Sequence, residues 1–143
     1  MSGAPDRDAA LVALRPAIDL GPDAPDPAEL DAPARLLHAT LRPVLKLQND
    51  AVLALVAQAV AARTAAFPSF DPADRRAHLD ALVRRDQRLQ RLLLGVVLGL
   101  LTAPELAAFQ RHDAEMRRRV VALLAERVTS QSGRVAELVE AAA

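Results

Sequence analysis

The chain has no cysteine, no tryptophan and no tyrosine, and its aromatic residues are limited to Phe67, Phe70 and Phe109. Lack of cysteine excludes a disulfide framework, a thiol nucleophile and a thiolate metal site. Three scattered phenylalanines do not make the stacking platforms on which single-stranded nucleic acid is held. Charge of one sign is missing too: 18 basic residues balance 18 acidic ones, so the chain as a whole is no electrostatic glove for nucleic acid or an anionic membrane. The opening MSGAPDRDAA lacks the basic start and apolar segment of a secretory signal, which makes the cytoplasm the expected compartment. No lipidation motif is seen at either end.

What is present is a large apolar fraction, 52% of 143 residues, enough for one core. The run LLLGVVLGLL, residues 92–101, has no polar face and carries Gly95 and Gly99 four apart. A membrane helix needs about 20 apolar residues, and Arg91 and Thr102-Ala103-Pro104-Glu105 cut this run short, so burial inside protein is expected. Each glycine costs about 1 kcal/mol against alanine in a helix interior, which points to close backbone packing as the compensation. The partner is either the alanine side of the helix over 43–66 or a second copy of the same helix, with Leu92 and Val96 beside the glycines in a two-fold contact.

Residues 1–33 read as a flexible or peripherally docked arm. A short apolar piece, Ala9 to Leu14, runs into Pro16, and GPDAPDPAELDAPA then places four prolines and a glycine within fourteen residues. Residues 34–143 read as the helical domain. Leu41, Leu45, Val52, Val56, Ala59 and Phe67 form one stripe at 100° per residue, with Ala54, Ala57 and Ala61 opposite; Pro43 marks a kink or a fresh start. Asp71, Pro72 and Asp74 make a helix start. Asp86 falls among Leu79, Leu82, Val83, Leu89 and Leu93, so either the helix breaks there, with Asp86 capping a helix from Gln87 to Leu101, or a carboxylate is buried with a partner; the break is favoured. Thr102 and Glu105 have capping-box spacing. One long helix to Ser130 follows, about 42 Å for about 28 residues. Gly133 reads as its stop, leaving a short, frayed Arg134–Ala143.

The expected fold is therefore an all-α bundle of four to five helices with a fully buried central helix, completed by homodimerisation. Arg84, Arg88 and Arg91 share a face at helical spacing and form a candidate anion-binding surface, whereas Arg117, Arg118 and Arg119 point three ways. Pairs such as Asp80–Arg84 and Asp113–Arg117 have ion-pair spacing, so a solvated, self-neutralised surface is the simpler reading. Asp74–His78 and His112–Glu115 are too few for a metal site. The single lysine, Lys46, has Asp50 one turn on and projects away from the core. Gln48, Asn49, Arg63, Asp86, Asp113 and Arg127 fall on inward stripes and must be paired, either in a structural network or around a small ligand.

No cofactor or metal is implied by these features. They favour a non-enzymatic interaction, assembly or regulatory protein acting as a homodimer, with charged outer faces left for an unidentified protein partner. Anion or nucleic-acid binding through Arg84, Arg88 and Arg91 is one alternative, and a small-ligand or enzymatic role for the inward polar cluster is another.

Overall fold

The structure, a computed structural model, describes residues 6–18 and 21–143. Residues 1–5 and 19–20 of the expected arm lie outside the described residues. In chain order the helices are α1 (Arg7–Ala13), α2 (Ala32–Leu36), α3 (Arg42–Leu47), α4 (Asn49–Arg63), α5 (Pro72–Arg85), α6 (Gln87–Leu98), α7 (Ala103–Arg111), α8 (Asp113–Ser130) and α9 (Ser132–Ala142). A π-helical turn spans Leu37–Leu41, and 3-10 turns span Pro27–Glu29 and Phe67–Ser69. Among the described residues there is no strand, in keeping with the all-α class. No single helix among them is long and apolar enough to cross a membrane.

Several starts follow the local sequence. The Asp71 carboxylate accepts from the Asp74 amide at 2.9 Å, Asp86 from Leu89 at 3.0 Å, and Thr102 and Glu105 cap each other reciprocally. Each such cap contributes about 1 kcal/mol by satisfying amides that have no partner in the first turn.

The chain is cut more finely than four to five helices because single residues interrupt it at Gln48, His112 and Gln131. The expected 28-residue helix is two helices, α7 and α8, meeting at His112, whose φ of −125° and ψ of 37° leave the helical region. Neither glycine nor proline marks that break. Asp113 and Glu115 in the first turn of α8 suit the positive end of a new helix. Gly133 is not a stop: it lies within α9, and Val135, Ala136 and Val139 of that helix are buried, so the C-terminal segment is packed and not frayed.

Two compact units emerge, neither of them bounded near residue 33. One comprises Met1–Gln48 and Val97–Arg119, the other Asn49–Val96 and Val120–Ala143. In the first unit, α2 packs on α7, and Leu41, Val44, Leu45, Leu101 and Phe109 are buried. Pro43 has no amide to donate and its ring crowds the carbonyl four residues back. The chain accommodates it by widening: the Arg42 amide reaches back five residues to the Leu37 carbonyl.

The second unit is built on α4, which packs against α9; α9 also meets α5 and the Phe67–Ser69 turn. Val52, Val56 and Phe67 are buried as the stripe requires, and Ala57 on the alanine side is buried too. α4 is thus buried on more than its stripe, and Asp50, Gln58 and Arg63 remain on its exposed side. Each Val or Leu placed in this core stabilises it by about 1.5–3 kcal/mol.

The expected full burial of the central helix does not hold within one chain. Leu89, Leu93, Leu94 and Val97 of α6 are buried, but Leu92 is 50% exposed and Gly95 is exposed. Gly95 has no side chain to hide, and Arg88 and Arg91 occupy the same open face, so Leu92 is its one large apolar group and a lone exposed leucine costs little. The helix also ends at Leu98, placing Gly99 in the turn beyond it.

Candidate functional site

In the second unit, α4 and α6 flank a cleft of about 370 Å³ lined by Leu55, Gln58, Ala59, Ala62, Arg88, Leu89 and Leu92. Arg63 and Asp86 close one side of it, their charged groups 2.6 Å apart. The same two residues also line a neighbouring cleft of about 340 Å³ that holds Val60, Thr64, His78, Leu82 and Arg85. Asp86 is largely enclosed, 11% exposed against 59% for Arg63. The amide of Leu89 lowers the Asp86 pKa most; burial opposes this and the Arg63 guanidinium adds to the lowering, so the carboxylate stays charged. The break and the ion pair, weighed as alternatives from sequence, occur together.

The inward polar residues do not form one cluster. Asn49 accepts from Arg127 at 3.0 Å and from Gln131 at 2.8 Å, and donates to the Gln131 side-chain carbonyl at 3.0 Å. Gln131 was not among the expected members because it sits at the α8–α9 break, where helical phase fails. Arg63 and Asp86 belong to the cleft, and Asp113 lies on the surface paired with Arg117 at 2.9 Å. Gln48 is half-buried at the α3–α4 break.

The three arginines of the candidate anion face are also divided. The break at Asp86 leaves Arg84 on α5, 3.0 Å from Asp80, while Arg88 and Arg91 stay together on the open face of α6. Among the described residues, the Arg88 and Arg91 guanidiniums have no hydrogen-bonding partner.

Gly95 does not mediate helix contact within the chain: a Cβ built there meets nothing within 4 Å. Of the alanine side of α4, the expected partner, Ala57 is buried in the unit where α4 packs on α9, and Ala54 is exposed. Gly99 instead offers its carbonyl to Arg7 at 3.0 Å.

That bond belongs to a polar centre in the first unit that sequence reasoning missed. Arg7 also donates to Leu101, and Arg15 donates to the Leu100 carbonyl and to both Glu105 oxygens at 2.5 and 2.7 Å. Two guanidiniums thus serve carbonyls just past the negative end of α6. Glu105 further accepts from the Thr102 amide at 2.8 Å and the Thr40 hydroxyl at 3.0 Å. Burial pushes the Glu105 carboxyl up, yet these donors, Arg15 foremost, outweigh it and bring it down to about 2. Capping-box spacing identified Glu105 as a cap; nothing local could bring Arg15 to it from ninety residues away. The arm's Ala17 carbonyl likewise takes up Lys46, at 3.2 Å, in place of the expected Asp50.

The histidines have structural surroundings. His78 joins Phe67 and Phe70 in an aromatic trio with ring centres 5.6–5.9 Å apart. His38 accepts from Arg42 at 3.1 Å; burial first, then Arg42 and Arg119, lower its pKa and favour the neutral ring. Among the described residues no three His, Asp or Glu side chains converge as metal ligands. Comparison of the chain with known protein families, with curated proteins and with solved structures gives no match.

Proposed function

We propose that the protein is a non-enzymatic assembly protein that self-associates through the open face of α6. The observation that carries this reading is the pairing of Leu92, half exposed, with Gly95, over which no neighbouring group lies within 4 Å. A second copy crossing there would cover Leu92 and half-buried Val96 and approach the Gly95 backbone without a side-chain barrier. The residual glycine cost in α6 then has a compensation that the single chain does not supply.

The same face carries Arg88 and Arg91, which a two-fold contact brings towards their own copies. Self-association of this kind strengthens with salt, because screening removes like-charge repulsion. Light scattering on a sizing column at about 50 mM and about 500 mM salt tests it. A larger dimer fraction at high salt supports the reading, and a monomer at both, at concentrations up to the millimolar range, sinks it.

Arg88 and Arg91, exposed and without a partner among the described residues, favour a second reading, binding of a polyanion to this face. Counterion release gives that mode the opposite sign: affinity falls steeply as salt rises. A titration of heparin or duplex DNA at the same two salt concentrations separates the two.

A further inference from the structure

We infer that the α4–α6 cleft of the second unit binds an amphipathic carboxylate, an acyl chain with an anionic head. Leu55, Ala59, Leu89 and Leu92 supply apolar lining, and the cleft volume of about 370 Å³ lies in the range of small-ligand sites. Its charged lining is cationic on balance. Arg63 and Arg88 stand there with Asp86 as the only acidic lining residue, and Asp86 is already engaged by Arg63 and by the Leu89 amide.

The charge balance selects the head group. Arg63 and Asp86 cancel, while the Arg88 guanidinium has no partner among the described residues and one full positive charge is left over. Arg63 is 59% exposed and its fork has donors to spare beyond the single bond to Asp86, so a carboxylate seated between Arg63 and Arg88 receives charge-assisted bonds from both. Gln58 adds an amide to the lining. A cation finds no open acidic group there. A neutral chain gains the apolar lining but leaves Arg88 as it was. The larger cleft of about 490 Å³ near the end of α9 lacks this complement: alanines, Pro68 and Val139 line it, and its charged side chain is Glu140. The cleft shares Arg88 and Leu92 with the face proposed for self-association, so the acyl carboxylate and a second copy compete for it, and titration with the carboxylate is run at a chain concentration where light scattering shows monomer.

Calorimetric titration of the whole chain with decanoate below its micellar concentration tests the assignment, with acetate and decyltrimethylammonium as probes of head and tail alone. Decanoate is expected to bind with one site per chain, and the other two to bind at least tenfold more weakly. Arg88→Glu is expected to weaken decanoate about tenfold or more, the loss of one charge-assisted bond, while Arg118→Glu on α8 leaves it unchanged. Arg88 is exposed and has no partner among the described residues, so the variant is expected to fold, which its circular dichroism checks. Equal binding of decanoate and its cationic analogue, equal binding to Arg88→Glu and wild type, or no binding of decanoate each overturns the proposal. Light scattering with and without decanoate distinguishes this outcome from failure of the dimer reading.

Discussion

Arg63 at the end of α4 and Asp86 at the start of α6 meet at 2.6 Å, and Asp86 simultaneously caps α6 through the Leu89 amide at 3.0 Å. One carboxylate therefore does two jobs that substitution can separate. Asn is as good an N-cap as Asp but carries no charge. Asp86→Asn is expected to keep the cap and lose the ion pair, which is largely solvent-screened on the Arg63 side and contributes well under 1 kcal/mol. Asp86→Ala loses both and costs about 1–2 kcal/mol. Urea denaturation of the two variants gives the difference directly, and equal losses contradict the capping role.

Glu105 provides the pH dependence. Its carboxyl is held near 2 in the folded chain against an ordinary value of 4.5. A depressed folded pKa means that the stabilisation is complete above the unfolded value and is lost as pH falls from about 4.5 to about 2. The shift corresponds to about 3 kcal/mol. Glu105→Gln is expected to be destabilised by that order at pH 7 and to converge on wild type by pH 2. Parallel urea midpoints for the two chains across that window would contradict the network around Arg15.

Asn49 satisfies Arg127 and Gln131 together. Asn49→Ala leaves both without their shared acceptor in a half-buried place and is expected to cost about 1–3 kcal/mol. Asn49→Asp retains the acceptor for both and is expected to recover most of the loss. Thermal unfolding of the pair decides whether the bonds or the mere volume at position 49 matters.

Gly95 discriminates between one chain and two. In an isolated chain Gly95→Ala meets no obstacle and is expected to raise stability by about 0.5–1 kcal/mol through helix propensity alone. A bulky Gly95→Leu is likewise harmless to the monomer, but it drives apart a dimer crossing at that point. Sizing and thermal unfolding of both variants check this; a dimer that survives Gly95→Leu has its interface elsewhere.

Much of the local architecture was legible from residue order. Asp71, Asp86 and Thr102 with Glu105 start helices because a short oxygen-bearing side chain satisfies first-turn amides wherever it occurs. Of the stripe Leu41, Leu45, Val52, Val56, Ala59 and Phe67, all but the half-buried Ala59 are buried, as the helical period requires. The site was less legible. Helical phase was carried across Asp86 and His112, so Arg84 was grouped with Arg88, while Gln131, just past the expected end of the long helix, was left out of the Asn49 network.

Periodicity and capping chemistry act within a few residues, and on that scale the order of amino acids alone determined which segments coil, where most of them begin and which side turns inward. Tertiary structure decided the rest. It brought Arg15 to Glu105, set α9 against α4, and left Leu92 and Gly95 uncovered, because these outcomes depend on which distant surfaces reach each other first and fit. A stretch that is apolar on every side specifies a need for cover, but glycine reduces that need to almost nothing at its own position, and only packing reveals it.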